Sequence, residues 1–329
     1  MDIMNEIIKA LKESQNVLIA THENPDGDCL GSAFALAEAL KILGLKGLVV
    51  NNDPMPKNFF YMTGSRELIL PVLLHNDFET AILVDCTDLG RLGFNLQEKC
   101  PSLKTIINID HHVSNEYFGQ LNYVDSRAAA TGEIIYKLIK KMSVTITSSI
   151  ATALYTAIVT DTGSFQFENT TPETLKIAGE LMAAGADLKS IRKNIWDNRS
   201  LITLKLLHKA LDSLQIEANG KLAWFSIDAL TLENFKASAE HLEGLTGYPR
   251  SIEGVEVGIV FKEVNPAIIK ISFRSKEYVN VNLLAQKFGG GGHPRAAGCT
   301  INGSLKEVIE MVTLEAEKMI LEGKVAELK

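Results

Sequence analysis

The chain lacks the features that would place it in several large protein classes. Its four cysteines, Cys29, Cys86, Cys100 and Cys299, show neither the close pairs of a structural zinc site nor the spacing of a disulfide framework. A reducing, cytoplasmic setting is therefore expected. No apolar run approaches the roughly 20 residues of a membrane helix. Basic residues are outnumbered, 33 Lys and Arg against 40 Asp and Glu, for a net charge of −7. A protein that tracks long nucleic acid gains affinity by neutralising many phosphates, so it usually carries a basic surplus; short anionic ligands suit this balance better. There is no internal repeat and no low-complexity tract. The opening Met1-Asp2-Ile3-Met4-Asn5-Glu6 is acidic and reads as the start of a helix, which argues against a secretory signal.

What remains is an ordinary globular composition, 46% hydrophobic and 22% charged, at a length that suits two domains. The first part alternates apolar strand runs with amphipathic helices, the pattern of a largely parallel sheet covered by helices. Strands are expected at Val17–Ala20, Leu48–Val50, Ala81–Val84 and Thr105–Ile109, with a helix over Gly31–Leu43 stopping at Gly44. From about Thr131 to Gly185 the chain reads as mostly helical, with Thr131-Gly132-Glu133 opening one helix and Thr147-Ser148-Ser149 capping another that runs to Thr160. Helices near 186–210 connect to a second, smaller α/β lobe with strands at Leu222–Ile227, Val255–Phe261 and Ile268–Phe273, a helix over Val281–Phe288 and a last one over Leu305–Leu321. The expected domains are 1–190 and 214–329, joined by a helical connector over 191–213.

Five short stretches place an Asp or a His where a strand or helix ends: His22-Glu23-Asn24-Pro25-Asp26-Gly27-Asp28, Asp85, Asp110-His111-His112, Asp161, and Gly289-Gly290-Gly291-Gly292-His293. In open α/β sheets ligands gather beyond the carboxyl ends of strands, so the first groups should converge. Asn24-Pro25 and Gly27 impose a turn that can aim His22, Asp26 and Asp28 at one point. Taken alone, the His22–Asp28 stretch also reads as a helix N-cap with a solvated Asp, Asp85 as a cap or strand-end turn residue, and the glycine run as a flexible loop. Imidazoles with several carboxylates and no thiolate suit Mn²⁺, Mg²⁺ or Fe²⁺ better than structural zinc. Cys86 should point away from the site if Asp85 faces it. Phe165 and Phe167 read as alternating aromatics on a short strand, core residues or a platform for a base. His75, His208 and His241 have no partners in sequence.

Together these motifs resemble the DHH phosphoesterase family with a C-terminal DHHA1 domain, most closely the short two-domain oligoribonuclease (nanoRNase) and pAp phosphatase type. Residues 16–44, 82–93, 105–112 and 155–170 match the four DHH motifs and 271–298 the DHHA1 glycine-rich motif, so the likeness covers nearly the whole chain in order. It implies an N-terminal DHH domain and a smaller DHHA1 domain with a cleft between them, and two divalent cations, Mn²⁺ first. By the same likeness His22 and Asp26 hold one cation, Asp28, His111 and Asp161 the other, and Asp85 bridges both. Asp110 orients the histidine ligand and His112 faces the substrate phosphate. Arg274, Ser275, Gly290, Gly291, Gly292 and His293 would bind substrate. The implied reaction is hydrolysis of short oligoribonucleotides to mononucleotides, and of pAp to AMP, by water activated between the two cations. The alternative is a phosphodiesterase for linear or cyclic dinucleotides such as pApA or c-di-AMP. A non-catalytic nucleotide-binding protein would have lost ligands, and none is missing. No long duplex nucleic acid and no membrane is expected as partner; family likeness suggests a homodimer.

Overall fold

The computed structural model describes residues 2–74, 78–242 and 244–327. His75 lies outside the described residues. The chain divides into two compact units, Met1–Asn198 and Arg199–Lys329.

In the first unit α1 (Ile3–Glu13) precedes β1 (Asn16–Ala20), α2 (Gly27–Ile42), β2 (Lys46–Val50), β3 (Thr80–Val84), the short α3 (Leu96–Lys99), β4 (Thr105–Asp110) and β5 (Leu121–Val124). Four helices follow: α4 (Thr131–Lys141), α5 (Ser148–Asp161), α6 (Pro172–Ala183) and α7 (Leu188–Ile195). The strands form one sheet in the order β2-β1-β3-β4-β5, every pair parallel. Its faces are divided by the two-residue period of a strand. Val17, Ile19, Ile82 and Val84 join the large core with side chains of α1, α2, α4 and α5, while Leu18, Ala20, Ala81 and Leu83 join a smaller core with Leu92, Leu96 and Cys100. Burial on both faces explains why these strands read as unbroken apolar runs. The edge strand β5 was not legible, because Leu121-Asn122-Tyr123-Val124 is only half-buried and carries no such run.

Two local expectations change. Asp161 is the last residue of α5, not the first beyond it. No strand carries Phe165 and Phe167: Gly163, Ser164 and Phe165 all have left-handed φ, at 54°, 63° and 63°, and fold the chain back. Phe165 packs edge-on against Tyr155 at 6.0 Å between centroids, and Phe167 lies over Gly163.

The second unit begins with α8 (Leu201–Asp212) and continues through β6 (Gln215–Glu217), β7 (Leu222–Ile227), α9 (Ala229–Asn234), α10 (Tyr248–Ser251), β8 (Val257–Asn265), β9 (Ile268–Ser275), α11 (Val281–Gln286), β10 (Gly291–His293), β11 (Ala296–Asn302) and α12 (Leu305–Glu327). Its six-stranded sheet runs β10-β11-β9-β8-β7-β6 and is antiparallel except for β7 with β8. Phe261, Ile271 and Phe273 bury one face with Val308, Val312 and Ala316 of α12; Phe225, Ile227 and Val260 bury part of the other with Leu206 and Ala210 of α8. The segment expected as a connector is thus divided, with α7 in the first unit and α8 packed on the second sheet. Among the described residues no helix is long and apolar enough to cross a membrane.

Candidate metal centre

The sheet order brings the ends of β1, β3 and β4 side by side, and each carries a proposed ligand. His22 follows β1, Asp85 follows β3 at once, and Asp110 closes β4 with His111 next. The helices supply the rest: Asp26 caps α2, Asp28 lies in its first turn, and Asp161 ends α5. These termini meet because the helices approach closely at glycines. A Cβ on Gly31 of α2 would stand 2.4 Å from the Ala153 carbonyl oxygen of α5, and one on Gly132 of α4 would stand 2.6 Å from the Ala157 Cβ. The first residue of α2, Gly27, lies against Thr160 and Gly132 of α4 against Ala157, both near Asp161 at the end of α5.

Ring orientation follows from which atoms can only accept. His22 Nδ1 donates to the Glu23 carbonyl at 2.7 Å and His111 Nδ1 to the Ala128 carbonyl at 3.2 Å, since a carbonyl has no proton to offer. That leaves each Nε2 facing carboxylates. His22 Nε2 lies 3.8 Å from Asp26 Oδ2 and 3.6 Å from Asp85 Oδ2. His111 Nε2 lies 3.8 Å from Asp28 Oδ2, 3.7 Å from Asp85 Oδ1 and 3.4 Å from Asp161 Oδ2. Asp85 thus turns one oxygen to each histidine. It does so from a left-handed backbone, φ 59°, uncommon for a residue with a side chain and concentrated at functional sites. Cys86 then joins the smaller core on the far face of the sheet.

The Asp110 carboxylate is buried and fully engaged. Its Oδ1 accepts from the His111 backbone N–H at 2.8 Å and from His112 Nδ1 at 2.7 Å, and its Oδ2 accepts from Asn115 Nδ2 at 2.7 Å. The ring it holds is that of His112, while the ring of His111 is held by a backbone carbonyl. Asp26 caps α2 and also faces His22. Oδ1 accepts from the N–H groups of Asp28 and Cys29 as an N-cap, while Oδ2 faces His22.

The carboxylates and imidazoles act strongly on one another's charge. Burial and the charges of Asp85, Asp161 and Asp26 hold the Asp28 carboxyl well above the usual range, against the N–H of Gly132. Burial pushes Asp161 up to about 7; His111 opposes this and Asp85 adds to it. Asp85 is buried as well, yet His22, His112 and His111 hold it below the carboxylate range. Burial disfavours charge on His22, but Cys29, Asp85 and Asp26 outweigh it and lift the imidazole well above its ordinary value. Likewise His112, despite burial, is raised to about 9 by Asp110 and Asp85. Burial keeps Cys29 and Cys86 protonated, at about 12. Asp28, Asp85 and His111 offer ligand atoms all within 4.8 Å of one another, and so do His22, Asp26 and Cys29. Clustered carboxylates with neutralisable charge and imidazole, without thiolate, fit hard divalent cations.

The second unit holds the remaining residues. Arg274 lies half-buried on β9 and donates Nη1 to the Phe273 carbonyl at 2.9 Å. Ser275 does not share its face: strand alternation turns it inward, it is fully buried, and its hydroxyl donates to the Pro294 carbonyl at 3.4 Å. Its side chain braces the loop. The glycine run is partly strand. Gly291, Gly292 and His293 form β10 against β11, and Gly290 packs so tightly that a Cβ would stand 2.1 Å from the Gly298 carbonyl oxygen.

Comparison with known proteins shows the family. The model of the DHH family, N-terminal domain, matches residues 16–158, and that of the DHHA1 domain matches residues 225–318. The chain belongs to the DHH family. It is 34% identical over 317 residues to the bifunctional oligoribonuclease and PAP phosphatase NrnA of Thermus thermophilus, covering 96% of this chain and 93% of that one. It is 30% identical over 305 residues to the protein of the same name from Bacillus subtilis, covering 90% and 92%. The crystal structure of an exopolyphosphatase-related protein from Bacteroides fragilis superposes with a TM-score of 0.87 at 25% identity, covering 96% of each chain.

In the DHH unit several residues were invisible to motif reading. Thr131 and Gly132 donate their backbone N–H groups to Asp28 Oδ2 and Oδ1 at 2.7 and 2.9 Å, and the Thr131 hydroxyl donates to Asp85 Oδ1 at 2.9 Å. The helix start was legible, but not what it faces. Asn51, buried just past the end of β2, donates to the Thr21 hydroxyl and the His22 carbonyl at 2.6 and 2.7 Å. Neither it nor Asn115 has a local signal. His208 lies 4.0 Å from Asp212 on α8, and His241 Nδ1 accepts from the Ser238 N–H at 3.0 Å, contacts within single turns.

Proposed function

We propose that this chain is a metal-dependent hydrolase of phosphoester bonds, cleaving short oligoribonucleotides to mononucleotides and pAp to AMP. The observation that carries the reading is Asp85, buried and turned with one oxygen toward His22 and the other toward His111. His22, Asp26 and Asp85 would hold one divalent cation, and Asp28, His111, Asp161 and Asp85 the second, with Mn²⁺ favoured by the donor set. When bound, such a pair supplies Lewis acidity toward the phosphoryl group and the attacking water.

The chain's own residues do the rest. Asp110 holds His112 through Nδ1, so the far edge of that ring can meet a phosphoryl oxygen and spread its developing charge. The water oxygen bonds to phosphorus, the ester P–O bond breaks, and the proton lost by water ends on the departing hydroxyl. Arg274 and the Gly291–His293 edge are assigned to the parts of the nucleotide that do not react. Four buried cysteines without a disulfide suit a cytoplasmic protein, and a homodimer is part of the same reading.

The test is a matched panel with Mn²⁺: RNAs of two to five nucleotides, pAp, pApA, c-di-AMP, pyrophosphate and a long RNA. Fast turnover of the short RNAs and pAp is expected, and loss of at least about a hundredfold in Asp85→Asn. Preference for c-di-AMP or pApA would move the same site to dinucleotide turnover. Full activity in Asp85→Asn would overturn the bridging assignment.

A further inference from the structure

Strand β4 turns two polar side chains toward the smaller core of the first unit. Ile107 and Ile109 join the large core, so strand alternation points Asn108 and Asp110 the other way, on the side where Ile106 packs. Asp110 holds His112; Asn108 touches no group of the metal centre. It is fully buried, and its Oδ1 has no hydrogen-bond partner among the described residues. A buried polar atom left unpaired lowers stability, and an apolar side chain of similar shape would avoid that loss.

What the Asn108 amide does make is one bond. Its Nδ2 donates to the Cys86 carbonyl at 3.0 Å, and the orientation of the amide follows because a carbonyl only accepts. The same carbonyl accepts from Asn115 Nδ2 at 3.1 Å. Two side-chain amides thus converge on one backbone oxygen, that of the residue directly after Asp85. Asp85 has the left-handed φ of 59°, and its own N–H donates to the Ile109 carbonyl of β4 at 2.9 Å. Its turn is therefore clamped on both sides, by β4 and by the loop after it. A conformation of that kind persists only where its surroundings over-determine it. Asn115 also donates to Asp110 Oδ2 at 2.7 Å, and its Oδ1 accepts from the Tyr117 N–H at 2.7 Å. This amide ties the Asp85 turn to the carboxylate that holds His112, whose Nδ1 stands 3.6 Å from Asp85 Oδ1.

We infer that Asn108 and Asn115 are positioning residues for the metal centre. By holding the Cys86 carbonyl they keep Asp85 in the backbone turn that divides its two oxygens between His22 and His111, and Asn115 sets His112 against the same turn. The inference rests on the phosphoesterase reading for what Asp85 does. It assigns the buried amide of Asn108 to function rather than to stability, a trade common at active sites.

The test reads stability and metal binding in the same variant. Asn108→Leu keeps the approximate shape, removes the unpaired oxygen and leaves the bonds of Asn115 in place. The metal-free variant is expected to melt no lower than the wild type. Its Mn²⁺ affinity by titration calorimetry should nonetheless fall at least about tenfold, the lower end of the effect of partners that orient ligands. Saturating Mn²⁺ should restore its kcat on pAp. Asn115→Ala should lose Mn²⁺ affinity likewise, and its kcat should stay low at saturating Mn²⁺ with KM little changed, because Asp110 no longer holds His112 in place. Full kcat there would sink the part assigned to His112. Wild-type Mn²⁺ affinity in Asn108→Leu would overturn the inference. So would affinity lost together with stability, since the amide would then be a contact of the fold. A wild type that binds Mn²⁺ and hydrolyses neither pAp nor short RNA would strike the phosphoesterase reading alone, and calorimetry with the melting temperatures would still decide the two asparagines.

Discussion

Thr131 donates its hydroxyl to Asp85 Oδ1 at 2.9 Å, and its backbone N–H goes to Asp28 Oδ2. One residue at the start of α4 therefore holds two carboxylates that would otherwise repel, with the positive end of the helix dipole behind it. Thr131→Val keeps the shape and the backbone bond but removes the hydroxyl. Partners that orient metal ligands are typically worth about 10–100-fold in affinity. We expect Mn²⁺ affinity to fall within that range by titration calorimetry, with the melting temperature of the metal-free chain little changed. Unaltered affinity would mean that Asp85 is aimed by the backbone alone.

The close approach of α2 to α5 gives a second expectation. Gly31→Ala would drive a Cβ to 2.4 Å from the Ala153 carbonyl, a backbone atom that cannot swing aside. Overpacking of this kind costs about 1–3 kcal/mol. Because Asp28 and Asp161 sit on the two helices being separated, metal affinity should fall together with stability. A stable variant with wild-type affinity would show that the helices slide apart without disturbing the site.

Glu133, in the first turn of α4, is 2% exposed, and its Oε1 has no hydrogen-bond partner among the described residues. Burial raises its pKa above the ordinary glutamate value of 4.5, against the opposing influence of the Thr174 hydroxyl and Lys137. A carboxyl whose folded pKa is raised binds its proton more tightly when folded, so stability falls as pH rises through that window and stays lower above it. Glu133→Gln removes the buried charge. Its melting temperature should exceed the wild type's by a few degrees at pH 7.5, and the difference should shrink as pH approaches 4.5. A constant difference across pH would point to packing instead.

Glu256 poses the opposite case. It is buried in the second unit, and its carboxylate accepts from the backbone N–H groups of Glu277, Tyr278 and Val279 at 3.1, 2.9 and 2.9 Å. Glu256→Ala strands three donors at roughly 1–3 kcal/mol each, so a loss of about 3 kcal/mol or more is expected by denaturant unfolding. A loss below about 1 kcal/mol would show that the loop finds other partners.

Much of this protein could be read before its structure. The apolar runs of β1, β3 and β4 are long enough and buried enough to announce themselves, and each ends in an Asp or His whose type limits the chemistry. Element order and the two-lobed plan follow from such local signals, because strand period, caps and turns are properties of neighbouring residues; the expected ligands came from the family resemblance. Tertiary structure alone decided the rest. Thr131 and Asp28 lie 103 positions apart, and only the packing of α2, α4 and α5 makes the start of one helix the cradle of the other's carboxylate. The direction of Ser275 and the strand within the glycine run depend on sheet register, which is set across chain segments and leaves no mark on any one of them. Residue types named the chemistry, and the packing of distant segments determined which atoms face one another.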